Sequence, residues 1–226
     1  KAKTKDFKNR IKIKYLNFCD FKPTCKVSFI IADLGVNSNQ IDNPDRGFSF
    51  QKDGPIDMRM NPNLEINAAK LIKELNEKEL ADLIYKYGEE RLSRKIAKRI
   101  KRDLEEKGNY KGTRELAYAI SGCFPPKLRY RRIHPATRTF QALRIAVNEE
   151  IEKLDNFLKI SPDWLLPNGI ISIISFHSIE DRKIKYHFKK DERLVNLTKK
   201  PITPKNEEIA SNKRSRSAKL RIAKLR

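Results

Sequence analysis

Two apolar runs, and the length of chain between them, constrain this sequence more than any other feature. Val27 to Ala32 leads straight into Asp33, and the next stretch of comparable apolar content is IISIISF, Ile170 to Phe176. Each reads as a strand covered on both faces, as in a sheet with helices on either side. A crossover between parallel strands needs only about a dozen residues, so a further body must occupy the interval. Its pattern is helical. Leu71, Ile72 and Leu75 mark a first helix within Leu64 to Leu75, and Asn76 with Glu79 is spaced as a capping box for a second that reaches Tyr87 and stops at Gly88. Leu92, Ile96, Ile100 and Leu104 then recur at every fourth position. A shorter helix runs from Thr113 to Gly122 and is closed by Pro125-Pro126. From Thr139 the stripe Phe140, Leu143, Val147, Ile151, Leu154 and Leu158 predicts one long core helix, and Asn168-Gly169 turns the chain into the second buried strand. Near the start, IKIKY (Ile11 to Tyr15) alternates as a half-exposed strand. The expected fold is α/β: an open, doubly wound sheet with an all-helical domain inserted into it.

In such sheets ligands lie beyond the carboxyl ends of the strands. Asp33 with the loop to Gln40 follows one buried strand, and Ser175 to Ser178 follows the other, so both are expected in one crevice. Taken singly, Asp33 reads equally as a helix N-cap and His177 as a hydrogen-bonded turn residue. A hydrolase built from Ser175, His177 and Asp181 fails on form. No Gly-x-Ser-x-Gly elbow is present, and residues so close in one loop are poorly placed for a relay across an imidazole.

Charge points to the partner. The 226 residues hold 50 Lys and Arg against 29 Asp and Glu, a net +21, and charged residues make up 35% of the chain. That surplus favours a polyanion, most simply nucleic acid, because each neutralised phosphate releases counterions. The basic residues are also clustered. Residues 91 to 102 contain seven cations and no acid, among them Arg94, Lys95, Lys98 and Arg99. KLRYRRIHPATR (Lys127 to Arg138) sets Arg131, Arg132 and Arg138 beside Tyr130 and His134, a mixture suited to phosphate contact and base stacking. Lys183 to Arg226 holds fifteen Lys and Arg against four acids and reads as a basic, partly extended tail. No apolar run approaches the length of a membrane span, and nothing resembles a signal peptide, so a cytoplasmic protein is expected. Cys19, Cys25 and Cys123 form no CxxC pair and are expected as reduced thiols. His134, His177 and His187 lack metal-ligand spacing, and no metal is predicted.

Six blocks carry a resemblance: DLGVNSNQ from Asp33, RGFSFQKDGPIDMRM from Arg46, YGEERLSRKIA from Tyr87, HPATRTFQALRIAVNEEI from His134, ISFHSIEDRKIK from Ile174 and RSRSAKLR from Arg214. In this order, from about Phe18 onward, they resemble the MraW family, S-adenosylmethionine-dependent enzymes that methylate cytosine N4 in bacterial 16S ribosomal RNA. The resemblance implies a Rossmann-like methyltransferase sheet, an inserted helical domain that helps to bind RNA, and a cytidine of the decoding region as target. It places the division at 1–60 for a partial methyltransferase core, 61–135 for the inserted RNA-binding domain, and 136–226 for the rest of the core with its basic tail. The family's cofactor contacts fall on Phe18, Asp33 and Gln40. Asn37 stands where the family's loop usually has a serine. Family members also begin with a Gly-rich loop of the type GxGGHS and an acid after the second strand. None of the eight glycines here clusters in that way, so the chain reads as a member lacking its first two strand-helix units, an N-terminally incomplete sheet.

The chemistry implied is transfer of a sulfonium methyl to a weakly nucleophilic amine, which needs in-line placement, a proton acceptor and a base freed from stacking. Asp33, His134 and His177 are the candidate catalytic residues, with Asp33 or a carbonyl of its loop near the sulfonium. His134, Arg138 and the SFHS loop would shape the cytidine side. Arg59, Arg214 and Arg216 join Arg94, Lys95, Lys98, Arg99, Arg131, Arg132 and Arg138 as expected RNA contacts. The partner is 16S rRNA or the small ribosomal subunit, and no membrane is expected. The competing class is a non-catalytic RNA-binding or ribosome-assembly protein.

Overall fold

The computed structural model describes residues 10–130 and 133–226, which fall into two compact units. The expected contacts Arg131 and Arg132 lie outside the described residues.

The first unit comprises Lys1–Ala32, Lys153–Ile174 and Glu180–Arg226. Its centre is a four-stranded sheet of β1 (Val27–Asp33), β2 (Leu165–Ser175), β3 (Leu194–Asn196) and β4 (Lys219–Leu225), in the order β1-β2-β4-β3. Strand β4 pairs antiparallel with β3, Leu194 opposite Leu225 and Asn196 opposite Ala223. The order explains where the apolar runs succeed and fail as buried strands. Central β2 is covered, with Ile171 and Ile173 fully buried. Strand β1 has one neighbour, and Phe29 and Ile31 are 51% and 64% exposed, so the expectation that Val27 to Ala32 is buried is corrected. IKIKY forms no strand, because among the described residues it finds no strand to pair with.

Two further corrections concern the carboxyl-terminal half. The basic segment expected as a tail is structural: KLRIAKL supplies β4, with Ala223 and Arg221 buried. Arg221 donates to Asp181 at 2.6 Å, and Lys219 reaches the same carboxylate at 3.2 Å. Burial pushes Asp181 up, but these cations outweigh it and hold the carboxyl below the usual range. Asn168-Gly169 lies inside β2 rather than before it, with Asn168 in the left-handed region at φ 64.

The second unit comprises Asp33–Glu152 and Ser175–Ile179. Short α1 (Ser38–Asp42) is followed by α2 (Ala68–Glu74), α3 (Glu77–Gly88), α4 (Ser93–Lys107), α5 (Thr113–Gly122), α6 (Pro126–Arg129) and α7 (Thr137–Asn148). Helix α2 is shorter than the Leu64 to Leu75 pattern. Asn76 and Glu79 form both bonds of the capping box at α3. Helix α3 packs against both α4 and α7. Their shared core includes Leu80, Ile84, Ile96, Ile100, Leu116 and Leu143. At the end of α3 the backbone of α7 passes so near that a side chain on Gly88 would meet the Arg138 carbonyl at 2.6 Å; only glycine fits. The long helix expected from Thr139 is two, α7 and α8 (Glu150–Ile160), because Glu149 takes the left-handed conformation at φ 52 and breaks the ladder. Helix α9 (Ser178–Lys190) follows β2, and α10 (Asn206–Ser211) precedes β4.

The result is the expected α/β architecture: a Rossmann-like sheet with helices threaded, in sequence, between β1 and β2. No helix among the described residues is long and apolar enough to cross a membrane.

Candidate functional site

The second unit holds four of the six sequence blocks whole, with Ser175–Ile179 of a fifth. Asp33 ends β1 and is exposed, and its carboxylate has no hydrogen bond or ion pair among the described residues. The loop beyond it is held from within. Asn37 is the N-cap of α1: its side chain accepts from Asn39 N at 2.9 Å, and its own N–H donates to Gln40 Oε1 at 3.2 Å. Asparagine caps about as well as serine, so the departure from the family's usual loop leaves this turn intact. The other end of the Gln40 amide donates to Met60 O at 3.4 Å.

Met60 belongs to the second block, which is unusually strained and unusually well tied. Met58 is buried at φ 61. Asn148, at the end of α7, donates to Met58 O at 2.7 Å and accepts from Met60 N at 2.6 Å. Arg46 donates to Arg59 O and Met60 O at 2.6 and 3.1 Å. Arg59, expected as an RNA contact, forms a two-point pair with Asp57 at 2.9 and 2.7 Å. Burial pushes Asp57 up, but the Arg59 hydrogen bonds outweigh it and hold the carboxyl below its ordinary range.

The loop after β2 joins the other blocks. A methyl group on Gly35 would sit 3.4 Å from the Phe176 ring, so the DLGV loop lies against SFHS. The Ser178 hydroxyl donates to the Glu89 carboxylate at 2.7 Å, and Arg138 Nη1 donates to Glu89 O at 3.2 Å. Glu89 caps α3 in the left-handed conformation, φ 51. His177 is half-buried in the same loop.

Beside Glu89 opens a cleft of about 800 Å³, lined by Glu90, Arg91, Leu92, Phe124, Leu128 and Arg138, with Pro125, Ile133, His134 and Pro135 completing the wall. The His134 ring lies on Phe50, with centroids 4.6 Å apart. Its Nδ1 accepts the Ala136 N–H at 3.1 Å, which leaves the proton on Nε2, 3.4 Å from Ser121 Oγ. Partial covering lowers its pKa. In this geometry His134 is a neutral wall of the cleft with its basic nitrogen already occupied.

The expected RNA contacts divide. Arg94, Lys95 and Lys98 project from α4 without side-chain partners among the described residues. Arg99 instead binds Asp103 at 2.7 Å, and that buried carboxylate also receives Tyr110 at 2.9 Å. Phe18 lies in the first unit, edge-on to Phe157 with centroids 5.2 Å apart. Arg214 and Arg216 are exposed in a 3-10 turn of that unit. Sequence reasoning singled out neither Glu89 nor Glu90. The available signal was a pair of acids directly after the glycine that stops an amphipathic helix.

A family model described as the MraW methylase family matches residues 1–226. A curated protein of Prochlorococcus marinus subsp. pastoris (strain CCMP1986 / NIES-2087 / MED4), named Ribosomal RNA small subunit methyltransferase H, is 73% identical over 224 residues, which is 99% of this chain and 75% of that protein. Proteins of the same name from Prochlorococcus marinus strains AS9601 and MIT 9303 are 72% and 60% identical, over 99% and 96% of this chain and 74% and 70% of their own lengths.

Proposed function

Since the chain belongs to the MraW methylase family, whose members are S-adenosylmethionine-dependent methyltransferases, we propose that it methylates the N4 amine of a cytidine in the decoding region of small-subunit (16S) ribosomal RNA. S-adenosylmethionine supplies an electrophilic methyl group on sulfur, and the chain's task is to place an amine in line with it. The observation that carries this reading is the meeting of DLGV, SFHS, YGEER and HPATR in one unit, through the Gly35–Phe176 approach, the Ser178–Glu89 bond and the Arg138–Glu89 bond.

The donor side falls to the loop after β1. Asp33 offers a carboxylate with no other engagement among the described residues, suited to accept hydrogen bonds from the donor or from the target amine. Gln40 spans Asn37 and Met60, so its part in donor binding is to fix the shape of the loop. The RNA side falls to the cleft and to the basic face of α4. His134 shapes the cleft wall, and Arg91, Arg94, Lys95, Lys98 and Arg138 meet phosphates. Positioning and electrostatics supply the rate, with no covalent intermediate.

Incubating the chain with small-subunit RNA and isotopically labelled S-adenosylmethionine, then digesting the RNA to nucleosides, tests the reading. Label in N4-methylcytidine is expected, together with loss of donor binding in Asp33→Asn by calorimetric titration. Label in a ring-methylated or ribose-methylated nucleoside would overturn the target assignment. Tight RNA binding with neither donor binding nor methylation would favour the non-catalytic alternative.

A further inference from the structure

Glu90 is 5% exposed, yet its carboxylate makes a single hydrogen bond among the described residues, from Leu92 N to Oε1 at 3.0 Å. A carboxylate can accept about four, so most of the acceptor capacity of Glu90 is left for donors that enter the cleft. Glu90 lines the cleft. Leu92, Phe124, Leu128 and Pro135 line the same cleft with apolar groups, and Arg91 and Arg138 are exposed there. An apolar slot with cations beside it and one under-satisfied acceptor inside is complementary to a particular ligand. It would be a planar ring that carries an exocyclic amine and is attached to a phosphate backbone.

We propose that this cleft receives one unpaired cytosine of an RNA strand, with the Glu90 carboxylate reading the base's 4-amino group. Among the bases, cytosine presents an N4–H₂ donor that an acidic side chain accepts, whereas uracil presents a carbonyl at the same position. A carboxylate facing that carbonyl would set two acceptors against each other in a buried site, so the cleft discriminates by rejecting uracil as much as by holding cytosine. Phe124 and the prolines supply stacking and edge contacts, and Arg91 and Arg138 neutralise the flanking phosphates. The inference rests on RNA being the substrate, but not on methyl transfer: it assigns base choice to Glu90 whether the cytosine is the methylated one or a neighbour.

Anisotropy titration of the chain with labelled hexamers of cytidylate and of uridylate, at one ionic strength and without S-adenosylmethionine, decides it. The unaltered chain is expected to bind the cytidylate roughly tenfold more tightly. In Glu90→Gln the amide oxygen can still accept from Leu92 N, which turns the amide NH₂ toward the cleft. The preference should then shift to uridylate, a reversal that loss of structure would not produce. Leu128→Trp, which fills the slot, should bring the two affinities together while uridylate binding stays within about twofold. Equal affinities for the two hexamers in the unaltered chain would overturn the proposal, as would an unchanged preference in a folded Glu90→Gln chain. A chain that prefers cytidylate but transfers no methyl keeps the role of Glu90 and loses the proposed function. A chain that methylates without preference does the reverse.

Discussion

The side-chain amide of Asn148 donates to the carbonyl of Met58 at 2.7 Å, and Met58 is held buried at φ 61. A bulky residue in the left-handed region stores about 1–3 kcal/mol and persists only where its surroundings over-determine it. Asn148 is the chief of those surroundings, since it also accepts from Met60 N and donates to Arg144 O at 2.8 Å. Asn148→Ala should therefore cost about 2–4 kcal/mol by removing buried hydrogen bonds and should loosen the loop that holds Gln40. Urea unfolding measures the first effect. The second appears as faster amide exchange at Met58 and Met60, with the α3 amides unchanged.

The cations of α4 separate by experiment. Arg94 and Lys98 have no side-chain partners among the described residues. Replacing both with glutamine should weaken RNA binding and flatten the slope of log affinity against log salt by about 1.4, at roughly 0.7 per lost contact to a single strand. Stability should hardly change. Arg99→Gln should instead destabilise by about 1–3 kcal/mol, because Asp103 is buried and loses its charged partner. Titrations at several salt concentrations, with thermal melts of each variant, check both outcomes.

His187 makes the first unit sensitive to pH. Burial pushes its pKa down, with Asp191 and Asp155 opposing and Arg193 reinforcing the shift; Nε2 lies 3.2 Å from Asp191. A histidine with a depressed folded pKa binds fewer protons when folded than when unfolded. Its contribution is therefore fully present above its ordinary pKa near 6.5 and is lost as pH falls through the folded value. Asp191, held low first by the Arg193 hydrogen bond despite burial, stays ionised through this window. Denaturation midpoints should decline as pH drops below about 6.5, and His187→Gln should flatten part of that decline.

The left-handed backbone at one position of β2 depends on asparagine. Asn168 sits at φ 64, where asparagine is tolerated and a β-branched residue is not. Asn168→Val should cost about 1–2 kcal/mol, a fall of several degrees in Tm for a chain of this size, and Asn168→Gly much less. A thermal melt of the pair distinguishes backbone strain from loss of the Lys224 contact at 3.2 Å, which both variants remove.

Local signals were readable where the cause was local. The Asn76–Glu79 capping box, the stripe of α4 and the span of α5 follow from side chains within a few positions of one another. The errors came where a distant partner decides. Nothing in VSFIIAD says that β1 has one neighbour. Nothing in KLRIAKL says that its alternation outweighs its charge and places it within the sheet. The break at Glu149 was hidden because the apolar spacing continues across it. At the site, Asp33 and the SFHS loop could be picked out because they follow strands. Glu90 could not, since its significance lies in a hydrogen bond it does not make. Arg99 carried the same sequence signal as Lys98 and differs only in having Asp103 one turn away.

The order β1-β2-β4-β3 has a consequence for how the chain is made. Strand β4 lies between β2 and β3, yet both precede it in the sequence. On a translating ribosome, β2 emerges with Ile171 and Ile173 already in place and an edge that its permanent neighbour cannot yet fill. Throughout the synthesis of α9, β3 and α10 the sheet remains open along that seam. The helices of the second unit draw their partners from nearby sequence and can consolidate first. The sheet is therefore zipped up late and from its middle, and in that interval a nascent chain depends most on chaperones to keep bare strand edges apart.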